Sequence, residues 1–275
     1  MTRRDHGRPY PAVLILLLAG LALLRTDLVT RSIGSVSAGL AAGWGPRLHV
    51  IFGIILFAAI LFLAARALRT ASDPAMDGLI VLTASIFGFL AELWGTRSGL
   101  WAYYTGEKPP YWIIPAWPIG ALVIDRLARG SAGTSGGFFA KIAGNRLYWS
   151  LVFLFYCVFI PFLAAGLGAA ACLAPAVLTA AALYPGGKDR TGDAAVLLTG
   201  AACVFWADLW GTTAGCWSYY TRSSAFGAAR GILFGTVFDP VIALAAIKAA
   251  AVLAQGIRRL FRLTEPPGGI KERRY

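Results

Sequence analysis

The fold class predicted from the sequence is an all-α polytopic membrane protein, with about eight transmembrane helices arranged as two parallel four-helix repeats. Three observations carry that prediction. The chain is 58% hydrophobic and only 14% charged, with mean hydropathy +0.67, and its apolar residues gather in runs of spanning length. Its Lys and Arg residues fall between those runs, mostly on one side. A motif built from a carboxylate, Gly, Thr, Trp and Tyr is written twice, 116 positions apart, as from Glu92 to Asp208.

The spans follow in order. Met1-Thr2-Arg3-Arg4 and the apolar residues after Tyr10 resemble a signal peptide, but no small-residue cleavage site follows, and Arg25, Thr26 and Asp27 end the run directly. It reads as an uncleaved first span, 10–24. The others are 48–65, 78–95, 111–125, 147–167, 169–183, 194–210 and 232–254, with a count of seven as the alternative because 147–167 and 169–183 almost touch. Pro161 and Pro175 fall inside spans and are expected to kink them. The whole chain, 1–275, reads as one membrane domain with an internal repeat over approximately 10–130 and 147–256, followed by a basic cytoplasmic tail, 257–275.

With eight spans, 17 Lys and Arg residues lie on the side of the N-terminus and seven on the other, so both termini are expected in the cytoplasm of a multi-pass cell-membrane protein. Lys248, toward the inner end of the last span, is expected to snorkel. The net charge of +12 is thus a topology signal, and no nucleic-acid partner is expected. The expected contacts are membrane lipid and a long apolar substrate.

The duplicated motif is the candidate site. Its first copy is Glu92, Trp94, Gly95, Thr96, Gly99, Trp101, Tyr103 and Tyr104; its second is Asp208, Trp210, Gly211, Thr212, Gly215, Trp217, Tyr219 and Tyr220. A parallel repeat places both acids at one depth near the outer ends of their helices, with Asp239, just before Pro240, at a comparable level. Ionisable residues at membrane depth are functional candidates by default. A carboxyl in a low-dielectric cavity can keep its proton at neutral pH and act as a general acid. Aromatic faces stabilise cations and exclude water. Together these suit protonation of an alkene in a long isoprenoid, with the resulting tertiary cation cyclising or taking up water. Glu92, Asp208 and Asp239 are then the catalytic candidates, and the eight Trp and Tyr residues the substrate-binding ones. Thr96 and Thr212, four residues after each acid, are placed to hydrogen-bond to it.

Each assignment has a competitor. The aromatics at span ends also fit an interfacial belt. Glu92 and Asp208 could satisfy nearby backbone or pair with Arg97 and Arg222, Asp239 could be a helix N-cap, and Asp125 could pair with Arg126 or Arg129. Glu107 and Lys108 read as a solvated loop pair. Cys157, Cys172, Cys203 and Cys216 have no metal-site spacing and read as buried free thiols, and His6 and His49 are the only histidines. No aspartate-rich cluster suited to a Mg²⁺–diphosphate clamp is present, which counts against prenyl transfer and ionisation of a diphosphate; neither metal nor other cofactor is expected.

From Ala91-Glu92 through Gly95-Thr96, Gly99, Tyr103-Tyr104-Thr105-Gly106, Pro110, Ile114-Pro115 and Trp117, the chain resembles the membrane carotenoid-biosynthesis family. That family includes carotenoid hydratases of the bisanhydrobacterioruberin type and, more distantly, the heterodimeric-type lycopene cyclases. The resemblance implies a compact bundle of seven or eight helices acting on long polyenes without a redox cofactor, with the family's acidic motif residue at Glu92. The second half departs from the pattern, because Asp239-Pro240 follows the Trp217 motif. The functional expectation is a cofactor-independent isoprenoid cyclase or hydratase; the alternatives are a small-molecule or ion-coupled transporter with a duplicated acidic site and a non-catalytic membrane scaffold.

Overall fold

A computed structural model describes residues 20, 23–70, 73–134, 138–184, 190–223 and 226–264. Most of the expected first span and of the basic tail lies outside the described residues. Within them are eight α-helices: α1 (Thr26–Ala41), α2 (Trp44–Leu68), α3 (Pro74–Arg97), α4 (Ala116–Thr134), α5 (Phe138–Leu167), α6 (Leu173–Leu183), α7 (Thr191–Thr213) and α8 (Gly227–Thr264). Five stretches are long and apolar enough to cross a bilayer: Trp44–Leu68, Pro74–Arg97, Gly144–Leu167, Thr191–Thr213 and Gly227–Leu260. The chain is an all-α protein with the make-up of an integral membrane protein. Only 6% of the most apolar window of α2 is buried, so the other described residues leave most of its apolar surface uncovered.

Some boundaries differ from the expectation. The segment between the first two expected spans forms α1 rather than a loop. Residues 111–125 split into a short 3₁₀ turn, Tyr111–Ile113, and the start of α4. At 11 residues α6 is only about 16 Å long, short of a bilayer's apolar core. Pro175 sits in the first turn of α6, where a missing N–H leaves no bond unmade, so it starts a helix rather than kinking one. Pro161 does lie inside α5.

Helices α3 and α7 carry the two motifs and form the centre with α4 and α8. Each of α4 and α8 packs against both α3 and α7. Asp73 caps α3 by accepting a hydrogen bond from Ala75 N–H at 3.0 Å, with Pro74 following at the first helical position. The far ends of α3 and α7 close identically. Leu100 N–H donates to Gly95 O (2.9 Å) and Gly99 N–H to Thr96 O (3.3 Å); Cys216 N–H donates to Gly211 O (2.8 Å) and Gly215 N–H to Thr212 O (3.3 Å). Gly99 and Gly215 both have φ of +72°, the left-handed residue that this double-bonded helix ending requires.

Two three-residue strands follow those turns, β1 (Trp101–Tyr103) and β2 (Trp217–Tyr219), paired antiparallel. Ala102 faces Ser218, itself 116 positions on, while Trp101 faces Tyr219 and Tyr103 faces Trp217. Tyr104 N–H donates to Cys216 O (3.1 Å) and Tyr220 N–H to Leu100 O (3.0 Å), again an exchange of equivalent positions. Equivalent residues can pair this way only about a local twofold axis through Ala102 and Ser218.

Ion pairs hold the opposite ends of α3 and α7. Arg126, on α4, binds Asp77 Oδ2 at 2.8 Å and Asp125 Oδ2 at 3.3 Å, and Arg129 also reaches Asp125, which realises the expected Asp125 pairing. Lys248, on α8, binds Asp193 at 2.7 Å and donates to the Ala182 and Tyr184 carbonyls at the end of α6. Asp77 and Asp193 are themselves 116 positions apart, each in the first turn of its helix. Replacing Lys248 with Met should lower stability by about 1–2 kcal/mol, given the part-exposed pair and two lost carbonyl contacts. Denaturing-detergent titration of the purified protein reads this directly, and a change within error would show the contacts to be dispensable.

Candidate functional site

Each motif acid sits five residues before the end of its helix, and each is 3% exposed. Alternation along a strand turns residues i and i+2 to one face. Trp101 and Tyr103 therefore reach the same carboxylate: Trp101 Nε1–H donates to Glu92 Oε2 at 2.9 Å and Tyr103 O–H to Oε1 at 2.8 Å. Trp217 Nε1–H donates to Asp208 Oδ1 at 3.2 Å, and Tyr219 O–H lies 3.1 and 3.0 Å from the two oxygens. A third donor, Trp117 Nε1–H at 3.2 Å, reaches Glu92 from α4. Its counterpart on α8 is Leu233, so the first acid has the fuller cage.

The geometry explains the glycine, threonine and strand positions of the motif. Gly95 and Gly211, three residues after the acids, lack the Cβ that would overlap the Trp101 and Trp217 rings. Thr96 and Thr212 bond to the acids, but through the main chain: each hydroxyl donates to the carbonyl of Glu92 or Asp208 at 2.6 Å and leaves the carboxylate to the aromatic donors. The glycine that follows turns the chain, and the strand then delivers indole and phenol. Burial and the adjoining carboxylate push the Tyr103 and Tyr219 phenols far up, so both remain donors.

The other aromatics divide. Trp94 and Trp210 pack edge-on against Trp101 and Trp217, at 6.2 and 6.4 Å between ring centres. Tyr104 is exposed beside Trp112, and Tyr220 donates to the Phe162 carbonyl at 2.6 Å; neither reaches an acid. Glu92 does not pair with Arg97; its partners are the three aromatic donors. The Arg222 side chain lies outside the described residues. Glu107 is no solvated partner of Lys108: it accepts from Arg25 at 3.0 Å and from Trp112 Nε1–H at 2.7 Å, fastening the loop after β1 to the start of α1.

Asp239 lies well inside α8, which begins at Gly227, so it is not an N-cap. It lies one helical turn beyond Gly235, which abuts Asp208. Gly231 and Gly235 precede it on the same helix face. A Cβ at Gly231 would overlap the Tyr219 ring, and one at Gly235 would overlap Asp208 and the Tyr219 hydroxyl. Beside this cluster stacks a column of phenylalanines: Phe234 lies 4.0 Å from Phe162 and 5.1 Å from Phe238, and Phe238 lies 5.8 Å from Trp94.

Trp117, the two α8 glycines and the phenylalanine column were not among the sequence-derived candidates. Trp117 could have been flagged as a polar-tipped aromatic on the helix after the motif; the glycines show only as a four-residue spacing. A cavity of about 30 Å³, room for a water molecule, opens beside the second cage between Thr212, Trp217, Ser218, Tyr219 and Ala228. A larger one of about 320 Å³, lined by Phe62, Ala65, Arg66, Arg69 and Thr70, touches neither cage. Among the described residues, no group of three or more His, Cys, Asp or Glu side chains is placed to hold a metal ion. No family model, curated protein or solved structure matches the chain.

Proposed function

We propose that the protein is an integral-membrane cyclase or hydratase of a long isoprenoid, of carotenoid type, that protonates an alkene with a carboxylic acid. One observation carries this reading: Trp101, bound to Glu92, faces Tyr219, bound to Asp208, and Asp239 lies one helical turn beyond Gly235, which abuts Asp208, so three carboxyl groups share one surround of Trp, Tyr and Phe rings. Such walls stabilise a carbocation and keep water from it, while the carboxyls hold and return the proton. The cavity beside the second cage supports a water supply on that side, as hydration requires. The resemblance of Ala91 through Trp117 to the carotenoid-biosynthesis family points the same way.

In the topology that goes with this reading, α4, the segment 10–24, and α6 with the 3₁₀ turn before it, a short span that local thinning of the bilayer accommodates, join the five long helices to make eight crossings of the cell membrane. The halves are parallel repeats about an axis along the membrane normal, and both termini are cytoplasmic. The acids then face the outer half of the bilayer.

Lipid extracts of cells with and without the protein, compared by mass spectrometry, should differ by one cyclised or hydrated isoprenoid. Replacing Glu92 by Gln removes a charge that would face the cation and should cut its formation by at least about 10²-fold with helix content intact. Unchanged product formation in that variant would sink the proposal. Proton or ion flux in liposomes that disappears in Asp208→Asn would support the transport alternative instead.

A further inference from the structure

The three acids are not equivalent. Glu92 and Asp208 are sealed, at 3% exposure, with their oxygens occupied by N–H and O–H donors that match a carboxylate. Asp239 is only half-buried, and none of the hydrogen bonds and ion pairs among the described residues involves its carboxyl. One turn earlier on α8, the Thr236 hydroxyl is buried and also without a hydrogen-bond partner. The position 116 residues before Asp239 is Val123, so the third acid is present on one side of the local twofold only. The ring of the preceding residue, Phe238, lies 5.8 Å from Trp94 and 6.3 Å from Trp101.

We infer that Asp239 is the catalytic acid that touches substrate and delivers the proton, while Glu92 and Asp208 act as caged anions that hold the carbocation. A carboxyl without donors beside two carboxylates serves as a hydrogen donor. This rests on the alkene-protonation reading above. In the step, the Asp239 O–H bond breaks as the alkene π pair forms a C–H bond, leaving a tertiary carbocation and the Asp239 carboxylate. Attack by a second alkene followed by loss of a neighbouring proton, or addition of water followed by loss of one of its protons, returns a proton to Asp239. No other reactant is consumed. Pro240 follows directly, and without its N–H the Thr236 carbonyl has no helical donor.

Two readouts test the inference on the full-length protein in detergent or liposomes. Infrared difference spectra between H₂O and D₂O at neutral pH should show the C=O stretch of a protonated carboxyl, absent from Asp239→Asn and retained in Glu92→Gln. Product formation in cells should fall by about 10²–10⁴-fold in Asp239→Asn, the range for loss of a general acid, and recover in part in Asp239→Glu. Asp239→Val, which copies the residue at the equivalent position, serves if the Asn variant does not fold. A band that persists without Asp239, or that is missing from the wild type, overturns the assignment. If the band belongs to Asp239 but no isoprenoid product depends on the wild-type protein, the proton assignment stands and the functional reading falls.

Discussion

Replacing Arg126 with methionine is expected to lower the unfolding free energy by about 3–5 kcal/mol, the usual cost of removing one member of a buried ion pair. The Arg126 and Asp77 side chains are only 1% and 5% exposed, and the guanidinium bridges Asp77 on α3 to Asp125 on α4. Deleting it takes a cation away from two buried carboxylates. The double replacement Arg126→Met with Asp77→Leu should regain most of the loss, because the penalty comes from the charge left behind and not from the missing attraction. Equilibrium unfolding in mixed micelles measures both variants. A single variant within about 0.5 kcal/mol of the wild type would show that water reaches the pair.

Alanine at Gly95 or Gly211 should be almost as damaging. A Cβ at either position would overlap the Trp101 or Trp217 ring, so the indole must leave its place. Overpacking of this kind costs about 1–3 kcal/mol, and losing the indole's bond to a carboxylate adds about 1.5–3 kcal/mol. The consequences should differ between copies. Glu92 keeps two donors when Trp101 moves, whereas Asp208 keeps only Tyr219. Gly211→Ala should therefore perturb activity more than Gly95→Ala at similar stability loss, and equal activity in both variants would refute the unequal-cage picture. Tryptophan fluorescence of each variant reports the displaced ring.

The motif was legible because it is local. Acid, glycine, threonine, turn glycine and two aromatics span only 12 residues, from Glu92 to Tyr103, and a helix end running into a short strand brings them together without help from the rest of the chain. The strand signal was also present, as Trp-x-Tyr alternation in both copies, but three-residue strands flanked by apolar helices merge with them in any window of hydropathy. Asp77 and Asp193 were equally visible at the offset of 116, yet their partners differ: Arg126 answers the first and Lys248 the second, so no repeated pair could be seen. Helix boundaries differ from the expected spans where apolar length and helix length part company, as at α6, because hydropathy does not mark where a 3₁₀ turn interrupts a run.

The sequence by itself determined the apolar make-up of an integral membrane protein, the helical class and the repeated position of the two acids, since apolar run length and a repeated spacing are one-dimensional quantities. Tertiary structure decided how the copies meet and what sets them apart. The antiparallel pairing about Ala102 and Ser218 turns a repeat along the chain into a local twofold in space. Trp117 then enters one cage and Asp239 approaches the other. Both lie on the helix that follows the motif, at different distances along it. Only the packing of α4 and α8 against both α3 and α7 places an indole beside Glu92 and a bare carboxyl near Asp208.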